Sequence, residues 1–184
     1  MKFKETKLKG AFVVDLARIE DERGFFARIF CKDEFAELGI KSEVVQANMS
    51  FNAYAGTLRG MHYQVDPAPE TKLIRCVRGS IVDVIVDLRI DSPTYLQHIQ
   101  INLTAENRTA LFVPANFAHG FQTLEDNTEV IYLVSGMYTP SCERGLRFDD
   151  PALAVSWPMS TEHISAKDRQ WPLLAETEMA KSIV

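Results

Sequence analysis

Apolar residues along this chain recur mostly in short runs, and few stretches keep the period of a long amphipathic helix. Candidate strands are Phe12–Leu16, Phe25–Phe30, Glu43–Asn48, Thr57–Gln64, Lys72–Val77, Ile81–Leu88, Leu96–Leu103, Ala110–Val113 and Glu129–Val134. They are rich in Val, Ile, Phe and Tyr, and turn signals such as Arg23-Gly24, Arg78-Gly79-Ser80 and Asp91-Ser92-Pro93 separate them. Many short strands without long helical periods predict an antiparallel sandwich or barrel, not a parallel α/β sheet. A short helix is expected over Lys32–Leu38, stopped by Gly39, and a further helical turn after Ser165, a good N-cap. With no repeat, low-complexity tract or linker, residues 1–184 read as one domain with a frayed C-terminus.

The run Ile81–Leu88 is the most informative. Val82, Val84, Val86 and Leu88 share a face suited to a core, and Ile81, Asp83, Ile85 and Asp87 share the other. Two readings of the carboxylate face are open, a solvated surface or the lining of a barrel that holds a polar ligand. The strand taken alone favours the solvated one. Lys72, in phase with Ile74 and Cys76, is either a snorkelling surface lysine or an oxyanion stabiliser pointing inward. Simple alternation would put Arg59 and His62 on opposite faces, but Gly60 permits a bulge that returns both to one side. Pro114–Phe121 reads as a turn that delivers His119 to a strand mouth. Taken singly, His62 and His119 are both ordinary structural histidines.

Composition narrows the function classes. Of 184 residues, 46% are hydrophobic and 24% charged, and the net charge of −5 argues against a sequence-independent nucleic-acid binder. A local basic site for one phosphate ligand is still compatible. No apolar run approaches bilayer length, and the charged start, Met1 to Lys7, is not followed by a signal-peptide stretch. Cys31, Cys76 and Cys142 are odd in number with no CxxC pair, so reduced thiols in a cytoplasm are expected.

Together, the polar residues make a recognisable pattern. The blocks are Asp21–Phe26, Gln46–Ser50, Arg59–Gln64, Lys72-Leu73, Gly79–Arg89 with Ser92-Pro93-Thr94, Pro114–Phe121, Tyr132, Tyr138, Asp149–Pro151, Ser156–Pro158 and Ser165–Asp168. In this order, over nearly the whole chain, they resemble the dTDP-4-dehydrorhamnose 3,5-epimerase family. The resemblance implies a cupin-type, jelly-roll antiparallel β-barrel with short peripheral helices. It also implies a homodimer in which partner residues help at the rim of each active site. His62 would be the general base, oriented by Asp168, and Tyr132 the general acid. Lys72 would stabilise enolate charge, with Asp83 and His119 as further polar lining. Arg23 and Arg59 would hold the diphosphate, Gln46, Asn48, Glu143 and Lys167 the nucleotide end, and Tyr138 would stack on the base. Phe26 and Arg28 complete the substrate-binding set.

The implied chemistry needs these residue types. A ketone at C4 acidifies the protons on C3 and C5, because the carbanion delocalises onto oxygen. A neutral imidazole can take such a proton near neutral pH, and a carboxylate fixes its tautomer. A cation near the ketone oxygen favours the enolate. Inversion then needs a donor on the opposite face, which a phenol can supply. No metal or redox cofactor is required.

Arg28 departs from the family, which commonly carries a glutamate at that position, where an acceptor suits the N3–H of thymine. A guanidinium only donates, so it suits the unprotonated N3 of cytosine or a phosphate. Three other rivals stand beside the dTDP-sugar epimerase: a metal-dependent cupin oxygenase, a non-catalytic sugar-nucleotide-binding barrel, and an epimerase acting at C3 or C5 alone. Against the oxygenase, His62 is followed by Tyr63-Gln64 with no His-x-His, His98 and His163 lie outside the matched blocks, and Lys72 would repel a cation. Against the binding barrel, His62, Asp168 and Tyr132 are all retained.

Overall fold

In a computed structural model the described residues are 1–40 and 43–177. The strands in chain order are β1 (Lys2–Glu5), β2 (Phe12–Asp15), β3 (Ile19–Asp21), β4 (Gly24–Phe26), β5 (Gln46–Asn52), β6 (Leu58–Gln64) and β7 (Lys72–Arg78). They continue as β8 (Ser80–Asp87), β9 (His98–Thr104), β10 (Ala110–Val113), β11 (Phe117–Thr123), β12 (Thr128–Val134) and β13 (Glu143–Gly145). Two short helices, α1 (Lys32–Ala36) and α2 (Ala166–Arg169), lie outside the sheets.

Two antiparallel sheets face one another, one in the order β1-β2-β10-β7-β12-β5 and the other β13-β6-β11-β8-β9, with β3-β4 as a separate hairpin. Their inner faces meet in a core of Ile74, Cys76, Ile81, Ile85, Leu111, Phe121 and Val130. This is the expected jelly-roll barrel of cupin type. Each outer face has its own cover. Phe35 of α1, with Phe30 and Ile40, packs on Val14, Leu73, Ala110 and Phe112 of the larger sheet. The chain after β13, through Leu146, Leu153 and Leu174, packs on Met61, Val82, Val84, Val86 and Leu88 of the smaller one.

That second cover overturns the solvated reading of β8, because every residue from Ser80 to Asp87 is buried. The Val82 face lies under the C-terminal segment, and the face bearing Asp83 and Asp87 points into the barrel. The turn expected around His119 is also corrected, since His119 sits inside β11, a strand buried along its whole length. A strand covered on both sides has no need to alternate, and Gly120 with Gln122 broke its apolar run, so it did not read as a strand. Helix α1 ends near its expected stop at Gly39, whose φ is +74°. The run expected at Phe25–Phe30 shortens to β4, and the one expected at Glu43–Asn48 lies further on as β5. The frayed C-terminus was expected in a region whose last residues, 178–184, fall outside those described. Among the described residues no helix is long and apolar enough to cross a membrane.

Asp87 ends β8 fully buried and accepts from Arg89 Nε (2.8 Å) and Nη2 (2.7 Å), Ser92 Oγ (2.6 Å), Thr94 Oγ1 (2.7 Å) and the Arg89 amide (3.1 Å). Burial alone would raise its pKa, but these donors hold it down at about 2. A carboxyl depressed in the folded state stabilises the fold above its unfolded pKa and loses that contribution as pH falls through the folded value. Asp87→Asn should therefore destabilise by ~2 kcal/mol at pH 7, with the difference shrinking towards pH 2. Urea unfolding of both proteins across this range checks it.

Candidate active site

The smaller sheet carries the imidazole. On β6, His62 stands opposite His119 of β11 while Arg59 stands opposite Phe121, so three steps on one strand match two on the other. The expected bulge is present, and it lets Arg59 and His62 line the same interior cavity. Gly60 makes it possible: its φ is +138°, and a Cβ there would lie 2.5 Å from Gly120 Cα.

The carboxylate partner arrives from the C-terminal segment. Gln122, wholly buried on β11, donates to the Met159 carbonyl (3.1 Å) and accepts the Met159 amide (3.0 Å). The Leu58 amide then donates to the His163 carbonyl at 2.8 Å. Ser165 caps α2 by accepting the Asp168 amide at 3.0 Å, as its N-cap reading anticipates. Asp168 thereby reaches His62, with Oδ1 2.6 Å from Nε2. Burial raises the Asp168 carboxyl, but the hydrogen bond and charge of His62 outweigh it, so the net shift is downward.

The larger sheet supplies the opposite wall. Lys72 on β7 points inward with Ile74 and Cys76, and Tyr132 lies beside it on β12. Burial pushes the Tyr132 phenol upward; Arg59 works against this and Glu70 adds to it. The phenol therefore keeps its proton at neutral pH. Two connected lobes of about 370 and 170 Å³ share His62, Lys72 and Tyr132. Arg59, His119, Phe121, Ser50 and Asp168 line the smaller one.

At the mouth of the larger lobe the polar groups form a chain. Gln46 Oε1 accepts the Tyr138 amide (2.8 Å), Tyr138 Oη donates to Glu143 (2.8 Å), and Lys167 Nζ donates to both Glu143 oxygens (2.7 Å each). Burial raises Glu143, while Lys167 and Tyr138 lower it by more. Asn48 lines this lobe as well. Arg59 Nε is held by Asn52 Oδ1 at 2.7 Å. Behind the lining, the fully buried Asp83 meets His119 Nε2 at 2.6 Å.

Twelve of the fifteen residues singled out from sequence line this cavity or brace a residue that does. Arg23, Phe26 and Arg28 do not: Arg23 is paired with Asp21, Phe26 is 68% exposed, and Arg28 meets Glu34 at 3.2 Å. Sequence reasoning missed Glu70, which lines the cavity 3.3 Å from Lys72 Nζ. Its signal was a second charge two positions before Lys72, in phase with it. Among the described residues no three His, Cys, Asp or Glu side chains gather as a metal site requires. A larger open groove of about 760 Å³, by Lys9, Tyr63, Arg89 and Asn116, shares none of the residues that line this cavity.

The cupin-type barrel, with an imidazole–carboxylate pair on one inner wall and an ammonium and a phenol on the other, places the chain with the cupin-type sugar-nucleotide epimerases. The family model for dTDP-4-dehydrorhamnose 3,5-epimerase matches residues 5–176. A relative of that name from Sinorhizobium fredii is 40% identical over 96% of this chain and 91% of its own length. The structure of the Bacillus anthracis enzyme with TDP and PPi bound is 43% identical, with a TM-score of 0.90 over 94% of this chain and 99% of that one. The Legionella pneumophila enzyme in complex with dTDP-4-keto-L-rhamnose is 33% identical, with a TM-score of 0.90 over 97% and 95%. The chain belongs to the dTDP-4-dehydrorhamnose 3,5-epimerase family.

Proposed function

We propose that this protein converts dTDP-4-dehydro-6-deoxy-D-glucose to dTDP-4-dehydro-L-rhamnose by inverting C3 and C5, with no metal or redox cofactor. The observation that carries the reading is the placement of His62 and Tyr132 on opposing sheets of one cavity. His62 removes the proton beside the ketone and Asp168 stabilises the imidazolium that results. Lys72 holds charge on the enolate oxygen. Tyr132 returns a proton from the other side, which inverts the centre. Its raised pKa suits a group that must stay protonated until it donates. The Tyr138–Glu143–Lys167 chain holds the nucleotide end and Arg59 the diphosphate. The engagement of Arg28 by Glu34 turns the guanidinium towards α1, which favours thymidine over a cytidine nucleotide at this site.

We further propose that the working unit is a homodimer in which the β3–β4 hairpin brings Arg23 and Phe26 to the partner's cavity mouth, with Arg28 held back by Glu34. Support comes from their absence from the lining of their own cavity and from apolar side chains left open on edge strand β5, where Met49 is 63% and Phe51 52% exposed. The three free cysteines fit a cytoplasmic site of action.

With dTDP-4-dehydro-6-deoxy-D-glucose in heavy water, the protein should place deuterium at both C3 and C5 by NMR. His62→Ala should lower exchange at both carbons by about 10²–10⁴-fold with nucleotide binding kept; retained exchange would remove His62 as the base. Tyr132→Phe should let exchange outlast net inversion, and unchanged inversion would place the acid elsewhere. Mixing inactive Arg23→Ala with inactive His62→Ala subunits should restore roughly a quarter of wild-type activity, since one site in each mixed dimer is intact. No recovery after verified subunit exchange would refute the shared site.

A further inference from the structure

We propose that Trp171 is a positioning residue for the His62–Asp168 pair, its indole N–H fixing the carboxylate and tempering the charge that the imidazole meets. The proposal rests on the reading of His62 as the base. Trp171 Nε1 donates to Asp168 Oδ1 at 3.3 Å, the same oxygen that lies 2.6 Å from His62 Nε2. One carboxylate oxygen is thus shared between an indole and an imidazole.

Three neighbours hold the half-buried indole. It lies against Gly145, where an added Cβ would fall 2.3 Å from ring atoms Cδ2 and Cε2. Gly145 is the register partner of His62 across β13 and β6, so the glycine that seats the indole sits beside the base. The His62 ring meets Trp171 edge to face, with centroids 6.1 Å apart. Lys167, which also binds Glu143 at the cavity mouth, lies 5.5 Å from the centroid of the indole ring.

A donor on Oδ1 draws off part of the negative charge that would otherwise stabilise the imidazolium. Removing it makes His62 harder to deprotonate. The acid limb of kcat/KM, which follows the free enzyme's base, should then move to higher pH. Trp171→Phe keeps an aromatic ring on Gly145 and deletes the N–H. It should move the limb upward by about half a pH unit, an approximately threefold loss below the limb, with the high-pH plateau near wild type. Gly145→Ala keeps Trp171 but displaces the ring, and should move the limb the same way.

Fluorescence reads the contact without turnover. A protonated imidazole quenches a neighbouring indole, so emission should fall on acidification in a step absent from both His62→Asn and Trp171→Phe. Trp157, the other tryptophan, hydrogen-bonds the Phe148 carbonyl and serves as background. A lowered plateau with an unmoved limb in both variants would make Trp171 a packing residue only and overturn the proposal. So would an emission step that survives His62→Asn. If His62→Ala instead keeps its proton exchange, the base reading fails while the emission step still reports the Trp171–His62 contact, and the two failures are told apart.

Discussion

An ionisable side chain survives inside an apolar barrel only when a partner of opposite charge or strong hydrogen-bonding character comes with it. An uncompensated buried charge costs several kcal/mol, a large part of the net stability of a domain this size. The groups lining and bracing the cavity observe this, and so does Asp87. His62 has Asp168, His119 has Asp83, Lys72 has Glu70, and Asp87 has Arg89 with two hydroxyls. These pairings orient each group, and orientation is what acid–base chemistry requires of them. On the proposed reading, the bonds at His62 and Lys72 serve both folding and reactivity.

The facing of two sheets supplies the second requirement. A planar enolate has two sides, and inversion needs proton removal from one and delivery to the other. A cavity between opposed sheets offers two walls a few side chains apart. β6 places the imidazole on one, and β7 and β12 place the ammonium and phenol on the other. On the proposed reading, a sugar ring bound between them would meet base and acid without having to leave the cavity.

The barrel was legible because its strands are short, β-branched and separated by Gly, Pro and Asp signals. The bulge at Gly60 was legible too, since alternation fails there by one residue. Other features depended on partners remote in sequence. Asp83 and Asp87 look solvated on their own strand because nothing near them announces the C-terminal segment that covers its other face. His119 was recognised as a candidate but placed in a turn, because β11 is buried on both faces and carries no period of two. The site residues became readable as a set through family likeness, while Glu70 and Trp171 lie outside the matched blocks, and what they touch identifies them.

Asp168 lies 106 residues beyond His62, after the last strand of either sheet. During synthesis the ribosome therefore makes the whole barrel before it makes the carboxylate. The imidazole's partner thus depends on a segment outside both sheets, anchored where Gln122 grips the Met159–Ser160 loop and α2 settles beside β6.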